Sequence, residues 1–486
     1  MLDTLQEAGF AAYLVGGGVR DLLLNLNPKD FDIATEANPD QVKELFGRSC
    51  RLIGRRFRLA HVRMGREVLE VATFRGTPEP DEKGSGNQVN DSGRIVRDNV
   101  YGTLEEDVWR RDFSVNSLYY SAADETVLDF VGGMADLQAR ELRMIGEAEV
   151  RYREDPVRML RAIRFSAKLD FKLEKETDRA IDNCAQLLQD IPAARLYDET
   201  LKLFMGGHAQ VTFDMLQRYR LFEFICPETA ACVDDMEDEQ GLVARFLKQA
   251  LANTDARIRE DKPVTPAFLF AALLWEPVKR DSKAIEAQGM STVQAIDSAG
   301  VDVLARQVEH VAMPRRFSLI AREIWCMQPR LIDRGSRRVG ELVENPRFRA
   351  GYDFLLLRGE SGENVVEHGN WWTKFQEADE AERAAMIEQA SRSGGGSTSN
   401  GNGNSNSNSN SNSNNRSPRG KKPRSRKKGN GTANANPARA EVRTESAGNE
   451  GNTPVADSTG GEPSGGKKRR RRRRRPRRPA QAEQPA

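Results

Sequence analysis

The chain has 486 residues, 38% of them hydrophobic, which is enough to bury the cores of two or three domains. Its formal net charge of +2 hides an asymmetry: from residue 391 onward there are 22 Lys+Arg against 6 Asp+Glu, leaving 52 basic and 66 acidic residues in 1–390. An acidic body with a basic tail points to a polyanionic partner, nucleic acid first and an anionic membrane surface second. Five scattered cysteines without a CxxC, and only four histidines, argue against a disulfide framework or a structural zinc and for a reducing compartment.

Residues 1–145 read as mixed α/β. "AAYLVGGG" is a short apolar strand running into a glycine turn, and "VRDLLLNL" behind it is helical. "KDFDIAT", "LAHVRM" and "EVLEVATF" alternate or run β-branched, as strands do. The polar, Gly-rich interval 76–99 reads as a mobile loop. From about 146 to 390 helical patterns dominate, as in "DPVRMLRAIRFSAKL", "ARLYDETLKLFMG" and "PAFLFAALLWE". Beyond residue 391, "SGGGSTSNGNGNSNSNSNSNSNN" has no apolar content to offset its ordering entropy, so the composition predicts a disordered tether carrying "RGKKPRSRKKG" and "KKRRRRRRRPRRP". No basic segment followed by an apolar run opens the chain, and no apolar stretch is long enough to span a bilayer, so the expected location is cytoplasmic.

The chemistry concentrates in "VGGGVRDLLLNLNPKDFDIAT" (15–35). On a strand, residues two apart share a face, so Asp30 and Asp32 point the same way and Phe31 points into the opposite layer. Two carboxylates so placed repel unless a cation sits between them. Magnesium, which binds through one or two carboxylates and substrate phosphates, fits that position. Gly16, Gly17 and Gly18 let backbone N–H groups approach a triphosphate, and Arg20 behind them is placed to neutralise phosphate charge. A lone DxD is commonly a solvated surface pair; GGG followed by VRD and then DFD is a much narrower pattern.

"GGGVRDLLL…PKDFD" resembles the signature of the nucleotidyltransferase branch that contains bacterial poly(A) polymerases and tRNA CCA-adding enzymes. "EEDVWRRDFSVNSLYY" (105–120) resembles that branch's RRDFTxNAL element, and "EDPVRMLRAIRFSAKL" (154–169) matches a third block. The resemblance implies an α+β chain: a nucleotidyltransferase head over 1–147, a helical neck over 148–232, a helical body over 233–390, and the basic tail over 391–486. It assigns Asp30 and Asp32 to catalytic magnesium (or manganese) and Asp112 to the third catalytic carboxylate. Glu70 on "EVLEVATF" is a rival for that role, with an exposed strand charge as the plain alternative. Gly17, Gly18, Arg20 and Arg111 are assigned to the nucleotide.

Asp155, Arg158, Arg161 and Arg164 are spaced by three along one helix face. Taken by themselves they read as an N-cap followed by a solvated stripe. The resemblance instead implies a protein template for the incoming base, in which a carboxylate accepts from an exocyclic amine and a guanidinium donates to a ring nitrogen. That pair suits adenine or cytosine and rejects guanine and uracil. "LIGRRFRLAHVRMGREVLEVATFR" (52–75), "NTDARIREDKPVTPAFLFAALLW" (253–275) and "NPRFRAGYDFLLLR" (345–358) resemble the poly(A) polymerase subgroup, with Arg55, Arg56 and Arg58 as candidate RNA or phosphate contacts. The chain begins close to the glycine turn, without the longer N-terminal segment of some family members; a mis-assigned start would explain this and leave the catalytic inference untouched. The implied activity is template-independent addition of AMP from ATP to RNA 3′ ends, with RNA-decay proteins as candidate partners of the tail. CCA addition to tRNA and a non-catalytic RNA-tethering role are the alternatives.

Overall fold

The computed structural model describes residues 1–54, 58–76, 100–234, 241–334 and 339–394, and the backbone of 88–89 and 95–97. Arg55 and Arg56, most of the 76–99 interval, and the expected disordered tail beyond 394 lie outside the described residues. Within that interval, Gln88–Val89 pairs antiparallel with Ile95–Arg97, so part of the expected loop is a short ribbon.

The head is built on a seven-stranded sheet. Strands β1 (Ala12–Val15), β2 (Asp32–Thr35), β3 (Cys50–Ile53), β4 (Leu59–Met64) and β5 (Glu67–Thr73) lie in the order β3-β4-β5-β2-β1, continued by Leu118–Ser121 and Thr126–Asp129. Only β2 and β5 run parallel; the other neighbours are antiparallel. A parallel pair needs a crossover, and helix Pro39–Phe46 with the β3–β4 hairpin provides it. That helix is fixed by a capping box, Asn38 accepting from the Asp40 and Gln41 N–H groups while Gln41 returns to the Asn38 N–H, with proline at its first position. It packs with the N-terminal helix over Ile33, Val62 and Val71 on one face of the sheet.

The neck and body are helical from Ala148 onward. The largest apolar core runs continuously from Val19, Phe113 and Leu118 of the head through Ile163 and Phe213 to Phe270, Trp325 and Phe354. Helix Pro266–Leu273 is buried on nearly all sides and forms the centre of the body, which its uniformly apolar sequence dictates. A smaller cluster of Leu331, Phe348, Tyr352, Trp372 and Phe375 closes the C-terminal end. Among the described residues no helix is long and apolar enough to cross a membrane.

Candidate active site

Strand β1 ends at Val15, which pairs with Asp32 on one side and with Tyr119 on the other. The chain then turns at Gly16, with φ 78° and ψ −137°, a conformation open only to glycine, and enters helix Gly17–Leu23. The register therefore sets the glycine turn beside Asp32. A Cβ on Gly18 would come within 3.2 Å of the Phe31 ring and 3.3 Å of the Asp30 carbonyl, so this glycine lets the acidic segment lie against the helix. Here the structure departs from the sequence reading. Strand β2 begins only at Asp32, Asp30 and Phe31 belong to the preceding loop, and Phe31 is 36% exposed rather than buried in the opposite layer.

On its other side Asp32 pairs in parallel register with Glu70, and Glu70 in turn lies opposite His61, whose Nε2 is 3.5 Å from the Glu70 carboxylate. Protein crowded around Asp32 raises its pKa, the like charges of Glu70 and Asp30 raise it further, and Arg111 opposes them. Three carboxylates with one partly engaged arginine form an electron-rich donor set that a hard divalent cation suits. Among the described residues no cluster of three or more His, Cys, Asp or Glu forms a ready-made metal cage. Magnesium shared between two carboxylates and substrate oxygens does not need one.

Asp112 is placed differently. Its carboxylate accepts from Arg161 Nε at 2.8 Å and Nη2 at 2.5 Å, from Asn116 Nδ2 at 3.1 Å and from the Phe113 N–H at 2.8 Å. Burial pushes its pKa up, but Arg161 and these hydrogen bonds outweigh burial and hold it down at about 2. Arg20 is 1% exposed, donates to Asp21 at 2.8 Å and to the Asn116 side chain, and lies over the Phe165 ring. Asp21 also accepts from Lys168 at 3.0 Å. The result is a polar ladder, Lys168–Asp21–Arg20–Asn116–Asp112–Arg161, that leaves helix Val157–Leu169 at one end and returns to it at the other. The expectation that Arg20 is free for phosphate meets a buried guanidinium already satisfied inside this ladder.

Arg111 reaches the glycine turn. It donates to Asp107 at 2.9 Å and to the Tyr119 hydroxyl at 2.6 Å, and its Nη1 lies 3.8 Å from the position a Cβ would take on Gly16. Around it stand arginines that motif reading missed. Arg110 is pulled down to about 10 by burial and by the charges of Arg75, Arg151, Arg158 and Arg111. Arg151 donates to the Arg110 and Arg111 carbonyls at 2.7 and 2.8 Å. Mutual repulsion among buried cations is relieved by a polyanion, which a triphosphate is.

On the neck, Asp155 accepts from Arg195 at 2.7 Å and from the Val157 N–H at 3.3 Å, while Arg158 donates Nη1 to Glu154 and to the Arg151 carbonyl, both at 2.8 Å. Each keeps spare capacity: a carboxylate offers about four acceptor sites and a guanidinium five donors. Arg164 stacks on Phe165, with 4.5 Å from its guanidinium carbon to the ring centroid, and its buried Nε has no hydrogen-bond partner among the described residues. Arg195, absent from any motif, could have been found only from the packing of helix Ala193–Phe204 against helix Val157–Leu169.

Three family models match the chain: the poly A polymerase head domain over residues 12–143, a probable RNA and SrmB-binding site of polymerase A over 170–233, and the polymerase A arginine-rich C-terminus over 288–428. A poly(A) polymerase I from Salmonella typhi is 47% identical over 393 residues, which is 80% of this chain and 84% of that protein. The chain belongs to the bacterial poly(A) polymerase family. A CCA-adding enzyme from Lactobacillus helveticus is 39% identical over 223 residues, covering 46% of this chain and 53% of its own length. Its match therefore spans about half of either protein, while that to the poly(A) polymerase spans most of both. In fold the chain resembles a CCA-adding enzyme solved without ligand, with a TM-score of 0.55 at 20% identity over 82% of this chain and 86% of that one. The likeness is one of fold, and it extends over both the head and the helical part of the chain.

Proposed function

We propose that the chain is a polynucleotide adenylyltransferase that extends RNA 3′ ends with AMP from ATP, without a template. The observation that carries this reading is the register Val15–Asp32–Glu70. It sets a glycine turn on one side of an acidic strand end and a second carboxylate on the other, with Arg111 over the turn. The RNA 3′ hydroxyl gives up its proton to solvent as its oxygen joins the α-phosphorus of ATP, the bond from that phosphorus to the β-phosphate oxygen breaks, and pyrophosphate leaves. Asp30 and Asp32 are the residues that would hold magnesium or manganese, and such an ion, when bound, neutralises charge developing on the phosphoryl oxygens.

We assign the third carboxylate to Glu70, because its strand register places it next to Asp32 and its carboxylate keeps solvent access, 44% of its side chain being exposed. Asp112, fastened to Arg161 and Asn116, fits a positioning role at the joint of head and neck. Gly17 and Gly18 bring backbone toward the triphosphate, and Arg111 with its neighbouring arginines balances its charge. Asp155 and Arg158 read the adenine edge, Arg195 fixing the Asp155 carboxylate, while Arg161 and Arg164 bound the pocket from the same helix. Arg20 acts from inside, keeping the glycine helix in place. The segments 1–147, 148–232, 233–390 and 391–486 serve as head, neck, body and RNA-retaining tail of a cytoplasmic enzyme, the tail also being the place for RNA-decay proteins to dock.

Isotope placement tests this directly. With ATP labelled at the α-phosphate the label enters RNA; with ATP labelled at the γ-phosphate it leaves as pyrophosphate; RNA lacking a 3′ hydroxyl stays inert. Transfer of γ-label to RNA would overturn the assignment.

A further inference from the structure

A second group of cations lies apart from the arginines at the glycine turn. Lys29 immediately precedes Asp30 in the head, Lys168 stands on the last turn of helix Val157–Leu169, and Arg259 closes helix Leu242–Arg259 of the body. Burial, and after it the charges of Lys168, Arg259 and Lys29 against that of Asp255, hold down the pKa of His208, which precedes helix Ala209–Arg218, so the three cations lie in its neighbourhood. The fold brings them together at two points: Lys168 bonds Asp21 of the glycine helix at 3.0 Å, and Gly207 packs against Ile258, which a Cβ on that glycine would meet at 3.4 Å. The carboxylate facing His208, Asp255, is buried and occupied, accepting from the Ala209 and Gln210 N–H groups at 2.7 and 3.1 Å. Glu260, beside Arg259, is held by Lys262 at 2.6 Å. Lys29 and Arg259 are exposed and form no ion pair among the described residues.

Cations gathered this closely repel one another, and phosphate neutralises that repulsion. Two phosphate sources exist for such an enzyme, the triphosphate of ATP and the backbone of RNA. A triphosphate is compact and is matched by Arg111 and its neighbours. With the triphosphate matched there, the cations that head, neck and body each bring to His208 are left for the phosphates of a polynucleotide.

We propose that Lys29, Lys168, His208 and Arg259 form the track along which the RNA backbone approaches the carboxylates, holding the phosphates just upstream of the 3′ end. The proposal rests on the adenylyltransferase reading, and its test is made on binding alone so that the two stand or fall separately.

The test is fluorescence-anisotropy titration of a labelled, unstructured oligoadenylate, without ATP, across a range of KCl. The proteins are the full chain and its Lys29→Gln, Arg259→Gln and double variants; both positions are exposed and without an ion pair among the described residues, and thermal melting checks that they remain folded. Removing one cation from a phosphate lowers the slope of log K against log salt by about 0.7 and weakens binding about threefold to tenfold at low salt, so the double variant gives up about 1.4 in slope. The Michaelis constant for ATP at saturating RNA stays within about twofold of the parent. Unchanged slopes overturn the track. A raised constant for ATP with unchanged RNA affinity also overturns it, by assigning these cations to the triphosphate. A parent chain that binds RNA with the expected slopes but never extends it would remove the adenylyltransferase reading and leave the binding track standing.

Discussion

At Gly16 the backbone and not the available space forbids a side chain. A Cβ there would meet Arg111 Nη1 at an ordinary 3.8 Å, yet φ 78° with ψ −137° strains any L-residue. Gly16→Ala should lower unfolding free energy by about 1–3 kcal/mol and raise the Michaelis constant for ATP. Melting curves and ATP titrations read both, and an unaffected variant would mean that the turn is not strained. The carboxylates divide by charge balance. Asp32 is pushed up by its surroundings, then by Glu70 and Asp30, so the metal-free site stores repulsion. Glu70→Gln should leave metal-free stability unchanged or improved, reduce the rise in melting temperature on adding magnesium, and cut turnover on the order of a hundredfold. Asp112 is the opposite case: its folded pKa of about 2 lies below the ordinary 3.8. Its stabilisation, about 2 kcal/mol, is fully present above about pH 4 and is lost as pH falls through about 2. The stability penalty of Asp112→Asn, followed by denaturant melts from pH 7 downward, should shrink below about pH 4. A penalty independent of pH would contradict the ion pair with Arg161.

The elements that matter are the glycine helix and helix Val157–Leu169, joined by the ladder from Lys168 to Arg161. Most of the elements themselves were legible from the sequence. "AAYLV", "LAHVRM" and "EVLEVATF" are strands, and the 3.6-residue periodicity of "VRMLRAIRFSAKL" appears as the helix it predicts. What periodicity does not carry is contact between distant segments. Asp30 reads as strand because Asp-Phe-Asp alternates, but the chain passes through a left-handed Asn25, φ 57°, and joins the sheet only at Asp32. Arg20 sits in the glycine motif like a phosphate ligand, and only its long-range bond to Asn116 reveals it as buried. Glu70 could be suspected from its strand, but its pairing with Asp32 is a register across the whole crossover. Gly18→Ala tests this element directly. Its Cβ would displace the Asp30–Phe31 segment by a few tenths of an ångström, and misplaced catalytic groups cost rate steeply. A loss of about tenfold to a hundredfold in kcat with little change in melting temperature is expected. A fully active variant would show that the acidic loop does not need the close approach.

Across the whole molecule, an acidic folded body is joined to a basic tail, and the two halves of that division differ in what holds them. In the body, Arg358 is nearly inaccessible, bonds Glu363 at 2.8 Å and Gln328 at 3.2 Å, and lies over Trp275, while Lys279 reaches the same Glu363 at 3.3 Å. Glu363→Ala strands a buried guanidinium and should cost about 3–5 kcal/mol in denaturant unfolding. A cost near zero would mean that the network is wet. The tail's proposed part is to hold RNA through phosphate contacts, which its 22 Lys+Arg would supply. Deleting 391–486 should weaken RNA binding, lower its salt slope and shorten products, while a single addition proceeds at nearly the parent rate. Unchanged product lengths would remove the tether from the account. On the proposed reading the acidic strand end and glycine turn together add AMP from ATP to RNA. The most direct measurement is extension of a labelled unstructured RNA with magnesium and each nucleoside triphosphate alone, beside an Asp30→Ala/Asp32→Ala protein. Long ladders with ATP alone, absent from the double variant, are the predicted result. Short products that require CTP and a tRNA end, or ladders that survive the double substitution, would contradict it.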